Sequence, residues 1–158
     1  MVAHLQNPKL LTLPLATALA LKERSLGRRV VFTNGCFDVL HAGHVYLLNE
    51  ASKFGDILFL GLNDDDSVRR LKGPGRPKQP FELRAYTLAG LEAVDYIVPF
   101  SEDTPIELIR AIRPDVLVKG GDYTIDTIVG AAEVLSWGGR VEVVPLFGGI
   151  STSGILGR

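Results

Sequence analysis

The sequence predicts an α/β fold, a Rossmann-like, doubly wound parallel sheet of five strands with helices on both faces. Two observations lead to this prediction. From residue 29 onward, short β-branched runs alternate with helical patterns, with a new strand about every 25 residues. The strand-like runs are apolar throughout rather than at every second position, which is typical of strands that are covered on both faces.

Length and composition agree with a single folded domain and exclude several partners. The 158 residues are enough for one domain, and 46% are hydrophobic, so the chain can bury a core. The net charge of −1 favours neither nucleic acid nor an anionic membrane surface as a partner. One cysteine, Cys36, excludes an internal disulfide and fits a reducing compartment. We therefore expect a cytoplasmic protein.

The beginning of the chain carries an apolar run at 10–21 that is too short to span a bilayer. Only Lys9 precedes it as a charge and Pro14 interrupts it, which argues against a signal peptide. A short helix with Pro14 in its first turn is the better interpretation. We expect residues 1–27 to form a helical extension and residues 28–158 to form the domain.

The remaining elements follow in order from apolar runs, helical spacing and breakers. Gly55 ends the first helix of the domain, and Thr104-Pro105 begins a later one. The segment 73–80 is a turn-rich loop. Strands are predicted at 29–33, 57–62, 96–98, 116–118 and 140–144, and helices at 44–54, 65–71, 81–91, 104–113 and 128–137.

Four loops that follow predicted strands are polar or rich in glycine. In an open parallel sheet, ligands bind beyond the carboxyl ends of the strands, where the strand order reverses. These loops therefore indicate a nucleotide-type site at one rim of the sheet. They span residues 34–44, 63–66, 119–123 and 148–153.

The first of these loops contains His41-Ala-Gly-His44 immediately before a helix. A helix N-terminus favours anions, Gly43 allows close approach of the backbone, and two imidazoles three residues apart can donate to phosphate oxygens. Structural capping, zinc binding and coincidence remain alternatives, although no third ligand has a metal-like spacing. The pattern is neither a P-loop nor G-x-G-x-x-G, so a kinase or dehydrogenase is not indicated.

Weaker signals accompany the histidines. The hydroxyl run 151–153 could hold a phosphate or simply cap a helix. The cations Lys72, Arg76 and Lys78 could bind an anion or lie on a solvated loop. Arg84 is predicted in the first turn of a helix, where cations are unfavourable, which suggests an anionic partner.

Together these segments are much more specific than any one of them. The combination resembles the cytidylyltransferase-like nucleotidyltransferases, and most closely their heptose 1-phosphate adenylyltransferase branch, over about residues 28–156. The absence of an arginine before the hydroxyl run argues mildly against the glycerol 3-phosphate branch. The resemblance rests on FTNGCFDVLHAGH at 32–44, RLKG at 70–73, Arg76-Pro77, DVLVKGGDY at 115–123, Gly130-Ala131 and Glu133-Val134.

The resemblance implies transfer of AMP from ATP to D-glycero-β-D-manno-heptose 1-phosphate, giving ADP-heptose and pyrophosphate for the lipopolysaccharide core. Mg²⁺ would arrive with ATP, a separate sugar kinase would act in the same pathway, and a homodimer or higher homo-oligomer is expected. The stand-alone form is expected because the chain carries no kinase half. The alternative is cytidylyl or adenylyl transfer to glycerol 3-phosphate, phosphoethanolamine or FMN.

The resemblance also implies roles for individual residues, without a resident metal. Cys36 is expected to contribute backbone rather than thiol chemistry. The catalytic residues would be His41, His44 and Lys72. The nucleotide-binding residues would be Thr33, Asn34, Gly35, Cys36, Phe37, Gly43, Lys119, Gly120, Asp122, Ser151 and Thr152. The substrate-binding residues would be Asp38, Asn63, Arg76 and Arg84.

Overall fold

The computed structural model describes residues 5–145, in which strands and helices alternate along the chain. The strands are β1 (Val30–Gly35), β2 (Ile57–Asn63), β3 (Tyr96–Phe100), β4 (Val116–Gly120) and β5 (Arg140–Val144). The helices are α1 (Leu13–Ser25), α2 (Ala42–Ser52), α3 (Asp65–Lys72), α4 (Phe81–Ala89), α5 (Ile106–Ile112) and α6 (Ala131–Ser136), with a 3₁₀ turn at Ile125–Thr127.

All five strands are parallel and pair in the order β3-β2-β1-β4-β5. The chain therefore builds outward from β1 to β2 and β3, then returns to the other side of β1 for β4 and β5. The order reverses between β1 and β4, where Val31 pairs with Val116. This arrangement confirms the predicted doubly wound fold and places a ligand crevice beyond the ends of β1 and β4.

Successive residues of each strand enter opposite layers of the core because side chains alternate across a sheet. Val30 and Phe32 belong to the layer that α1, α5 and α6 cover, whereas Val31 belongs to the layer that α2 and α4 cover. Both layers are almost entirely apolar at the central strands, where Thr33 of β1 and Asn63 of β2 are the buried polar exceptions. The continuous apolar runs in the sequence follow from this double coverage.

The segment before β1 is packed into the domain rather than extending from it. Ala16 and Ala20 of α1 are fully buried in the core. Ahead of α1, the Leu11 N–H donates to the Ile97 carbonyl and the Ile97 N–H donates to the Lys9 carbonyl, each at 2.8 Å. Residues 9–25 thus cover one face and the outer edge of β3.

Several helix boundaries differ from the sequence predictions by one to three residues, and two helix starts differ for clear local reasons. Helix α2 begins at Ala42 because His41 caps it. Helix α6 is confined to Ala131–Ser136 because Gly130, with φ of 86°, interrupts the chain before it. No helix within residues 5–145 is both long and apolar enough to cross a membrane.

Candidate active site

A cavity of about 690 Å³ lies at the carboxyl ends of β1, β2, β4 and β5. It occupies the crevice where the strand order reverses, the location expected for a ligand in this fold. Most of the residues that the sequence indicated meet here. The predicted residues that line the cavity are Asn34, Gly35, Cys36, Phe37, Asp38, His41, Gly43, His44, Asn63, Lys72, Arg76, Lys119 and Gly120.

The two histidines cap helix α2 reciprocally. The His41 Nδ1 atom accepts a hydrogen bond from the Gly43 N–H at 3.1 Å, and the His44 Nδ1 atom accepts from the His41 N–H at 3.2 Å. A neutral imidazole whose Nδ1 accepts must carry its proton on Nε2. Each ring therefore keeps one N–H donor for a ligand, so capping and anion binding are compatible roles for the same side chains.

Both imidazoles are held neutral. Burial, together with the nearby His41 and Lys72, lowers the pKa of His44 to about 4. Burial also lowers the pKa of His41. The rings stack with centroids 3.8 Å apart, and Phe37 contacts the His44 ring edge-on at 5.1 Å. The pair is consequently a rigid set of two uncharged donors at physiological pH.

Two ammonium groups contribute positive charge to the cavity that no carboxylate of the described residues pairs with. Within residues 5–145, neither Lys72, at the end of α3, nor Lys119, near the end of β4, forms an ion pair. The Lys119 Nζ atom instead lies 4.9 Å from the centre of the Tyr123 ring. Uncompensated cations beside neutral donors suit a ligand with several phosphate groups.

Asp38, predicted to contact the substrate, lines the cavity but is already engaged by the protein. Its carboxylate accepts hydrogen bonds from the Arg76 Nε at 2.5 Å, from the Lys78 N–H at 2.7 and 2.9 Å and from the Gln79 N–H at 3.0 Å. Burial opposes ionisation of this carboxyl, but these bonds and the charge of Arg76 lower the pKa of Asp38 overall. Asp38 is therefore a buried, compensated carboxylate rather than a free ligand.

Arg84 takes a different place from the one predicted. Its side chain is fully buried and does not line the cavity. The guanidinium donates to the carbonyls of Gln79, Cys36 and Asn63 and to the carboxylate of Asp65, at 2.6 to 2.9 Å. These partners explain a cation in the first turn of α4 without an anionic substrate. The substrate-binding prediction for Arg84 is thus replaced by a structural role beneath the cavity.

Two more predicted residues, Thr33 and Asp122, lie off the cavity. The Thr33 hydroxyl donates to the Val118 carbonyl at 2.9 Å and joins β1 to β4. Asp122 is exposed and is not part of the lining. Ser151 and Thr152 lie outside the described residues, as does the rest of the loop at 148–153, so their phosphate contacts stay a prediction.

Several lining residues were not predicted from the sequence. Asp103, Thr104 and Pro105 follow β3, whose end lies on the same rim, although their loop carried no glycine or histidine signal. Tyr123 and the segment at 127–129 form an apolar wall after β4. The sequence predicts a helix from residue 128, so it gave no indication that Ile128 and Val129 face the cavity. An aromatic residue directly after a polar strand-end loop was the available clue.

Comparison with known proteins decides the family. A model of the cytidylyltransferase-like family matches residues 32–148, the segment that contains both the histidine pair and the cavity. The chain belongs to the cytidylyltransferase-like family. It is accordingly a nucleotidyltransferase enzyme.

Curated relatives of this cytidylyltransferase-like chain include longer proteins. It is 58% identical over 136 residues to the bifunctional protein HldE of Syntrophotalea carbinolica, covering 86% of this chain and 28% of that protein. It is 54% identical over 150 residues to the bifunctional protein HldE of Geobacter sulfurreducens, covering 95% and 31%. The chain thus spans less than a third of the length of these relatives.

A solved structure supports the same fold. The crystal structure of the lipopolysaccharide core biosynthesis protein from Thermoplasma volcanium superposes with a TM-score of 0.62 at 25% identity. The match covers 77% of this chain and 98% of that one.

Among the described residues of the present chain, no group of three or more His, Cys, Asp or Glu side chains is arranged to hold a metal ion.

Proposed function

We propose that this nucleotidyltransferase transfers AMP from ATP to D-glycero-β-D-manno-heptose 1-phosphate, releasing pyrophosphate and forming ADP-heptose for the lipopolysaccharide core. The resemblance of residues 28–156 to heptose 1-phosphate adenylyltransferases supports this substrate. High identity to HldE proteins and likeness to a lipopolysaccharide core biosynthesis protein point the same way. A cytoplasmic location, a homo-oligomer and a separate sugar kinase belong to the same proposal.

The observation that carries the proposal is the reciprocal capping of α2, which leaves two Nε2–H donors in the same cavity as Lys72, a cation that forms no ion pair within residues 5–145. A sugar phosphate oxygen attacks the α-phosphorus in line, and the bond from that phosphorus to the bridging oxygen breaks. Negative charge grows on the bridging oxygen and on the departing pyrophosphate. His41, His44 and Lys72 stabilise this charge, so the protein contributes positioning and electrostatics without a covalent intermediate.

The apolar wall offers a place for the base. Tyr123, Ile128 and Val129, which follow β4 in the chain, line the cavity. Burying a nucleobase against such side chains is favourable, and the Lys119–Gly120 strand end supplies polar groups beside it. ATP would then extend from this wall to the histidines, with the predicted Ser151 and Thr152 contacts on its outer phosphates.

Mg²⁺ is proposed to enter with ATP. The two carboxylates that line the described part of the cavity are already paired, Asp38 with Arg76 and Asp103 with Arg70. These residues therefore do not form a metal site of their own. Mg²⁺ commonly keeps water and nucleotide phosphate oxygens as its main ligands, which fits a metal that arrives bound to the nucleotide.

Pyrophosphate release tests the reaction. The purified chain should release pyrophosphate with ATP and heptose 1-phosphate, and not when CTP replaces ATP. Glycerol 3-phosphate, phosphoethanolamine and FMN serve as competing acceptors in the same assay. Activity with CTP alone would overturn the adenylyl assignment, and preference for another acceptor would overturn the heptose assignment.

Replacement of one histidine tests the mechanism. His44→Ala should lower kcat by about 100-fold, as expected when one preorganised donor to the transition state is lost. Asn49→Ala, at an exposed position of the same helix, is the matched control and should keep normal turnover. A near-normal kcat in the His44→Ala variant would remove the catalytic role.

A further inference from the structure

The connection between α3 and α4, residues 73–80, carries positive charge to the edge of the cavity. Lys72 directly precedes this basic loop and Arg76 lies within it, and both side chains line the cavity. The loop contains three prolines and two glycines with positive φ, Gly73 and Gly75, and no regular structure. Its position therefore depends on side-chain and backbone contacts from other segments.

Asp38 supplies the principal anchor of the basic loop. This carboxylate comes from the loop after β1, about 40 residues away in sequence, and is 1% exposed. It accepts hydrogen bonds from one side chain and two backbone N–H groups of the basic loop. The Gln79 peptide is held on its other side as well, because its carbonyl accepts from the Arg84 Nε at 2.9 Å.

The ion pair uses only part of the Arg76 guanidinium. The Nε atom donates to Asp38, whereas within the described residues neither Nη atom forms a hydrogen bond. The Arg76 side chain is 16% exposed and lines the cavity. An arginine that is fixed at Nε loses less conformational freedom when its terminal amino groups bind an anion, so the affinity gained per hydrogen bond is greater.

The compensation of Asp38 matters for an anionic ligand. A free carboxylate in the cavity wall would repel phosphate groups, and a buried carboxylate without partners would be costly. Arg76 and the two backbone N–H groups offset both the repulsion and the cost of burial, because they neutralise the carboxylate and donate hydrogen bonds to it. The pair therefore presents amino groups to the cavity while the negative charge stays behind them, at 1% exposure.

We propose that Asp38 is a positioning residue that holds Arg76 and the backbone at residues 78–79, so that the basic loop presents the Arg76 amino groups and Lys72 to the phosphate groups of the substrates. Asp38 does not itself contact the substrate. This inference rests on the proposed function only in that the ligand carries phosphates; the identity of the sugar plays no part in it.

Two measurements test Asp38→Asn, which keeps the shape of the side chain and removes its charge. Trypsin cleavage of the Lys78–Gln79 bond, followed by mass spectrometry, should become about tenfold faster, corresponding to about 1.4 kcal/mol of lost loop anchoring. Cleavage after Arg28, far along the chain, is the internal reference. Calorimetric titration with inorganic pyrophosphate should show about tenfold weaker binding.

A double-mutant cycle between Asp38 and Arg76 distinguishes a positioning role of Asp38 from a general structural defect. Arg76→Met should weaken pyrophosphate binding as much as Asp38→Asn does, and the double variant should be no weaker than either single variant. Asp66→Asn, which removes an exposed carboxylate paired with Arg69, is the matched control and should change neither measurement. In the active enzyme, Asp38→Asn should raise KM for the sugar phosphate more than it lowers kcat.

Arg76→Lys keeps the inference testable if Asp38→Asn does not fold. Lysine retains the charge but lacks the Nε donor that Asp38 holds, so pyrophosphate binding should stay as weak as in Arg76→Met. Wild-type affinity in Arg76→Lys, additive effects in the double variant, or unchanged cleavage and binding in Asp38→Asn would each overturn the proposal. Neither measurement uses ATP or a sugar phosphate, so a failed adenylyl assay leaves its outcome intact.

Discussion

Two arginine–carboxylate pairs near the cavity differ in how many of their donors the protein uses. The side chain of Arg84 is fully buried and makes four hydrogen bonds, out of the five N–H donors that a guanidinium carries. Within the described part of the chain, the side chain of Arg76, which is 16% exposed, makes one, to Asp38. Arg84 ties together segments that border the cavity, whereas the two Nη atoms of Arg76 have no hydrogen bond within residues 5–145.

The histidine pair follows the pattern of Arg76. Each imidazole uses Nδ1 to cap α2 and keeps Nε2–H beside the cavity. A side chain that is fixed through one polar atom and unpaired at another is both oriented and able to bind, which is the preorganisation that catalytic sites need. The number of donors without a partner among the described residues therefore distinguishes Arg76 and the two histidines from Arg84 more clearly than residue type does.

The largest effect is expected from Arg84→Met. This change leaves three carbonyls and Asp65 without their donor, so the free energy of unfolding should fall by about 3 kcal/mol. Urea unfolding measures the loss. Arg140→Met is the control, because its pair with Glu142 is largely solvent-exposed and contributes under about 1 kcal/mol. Equal losses in the two variants would contradict the structural role of Arg84.

The same substitution at Arg76 should act on binding instead. Arg76→Met is expected to raise KM for the sugar phosphate about tenfold, equivalent to about 1.4 kcal/mol. Its unfolding free energy should fall less than that of Arg84→Met, because the basic loop can open locally without disrupting the sheet. Steady-state kinetics and urea unfolding on both variants check this reversal. A KM unchanged from wild type would end the distinction between the two arginines.

A smaller effect concerns pH. The pKa of His44 is lowered to about 4 in the folded protein by burial and by His41 and Lys72, whereas an unfolded histidine titrates near pH 6.5. Between these values the unfolded chain binds the extra proton, so stability falls as pH drops below about 6.5, by at most about 1.4 kcal/mol per pH unit. His44→Gln should show a shallower decline in urea unfolding between pH 7 and pH 5. Parallel declines would show that His44 is not held neutral.

The strands were predictable because each one is an apolar run bounded by breakers, and double coverage keeps that run continuous. Their carboxyl ends extend further than predicted; β1 reaches Gly35 and β4 reaches Gly120. Those extra residues are polar or glycine and gave no strand signal. The location of the site at this rim was equally predictable, since glycine and histidine cluster in loops that the topology brings together.

The roles of Asp38 and Arg84 were not predictable from local sequence. Except for the Gln79 carbonyl, five positions before Arg84, their partners lie 19 to 48 positions away, and the relevant groups are mostly backbone atoms, which carry no residue-specific signal. A cation at the start of a helix pointed to some anion or acceptor, but only the packed structure identifies Asp65 and three carbonyls. The apolar wall was hidden for another reason, because Gly130 interrupts a segment whose spacing resembled one continuous helix.

The backbone pairing of Lys9 and Leu11 with Ile97 has a consequence for handling shortened forms of this protein. Without those residues, the outer edge of β3 would expose unpaired backbone N–H and carbonyl groups. An exposed edge strand of this kind can pair with a strand of another molecule. Removal of the first 27 residues would also uncover the apolar floor beneath Ala16 and Ala20. The segment ahead of β1 thus protects the outer edge of β3 from pairing with a strand of another chain, in addition to forming part of the core.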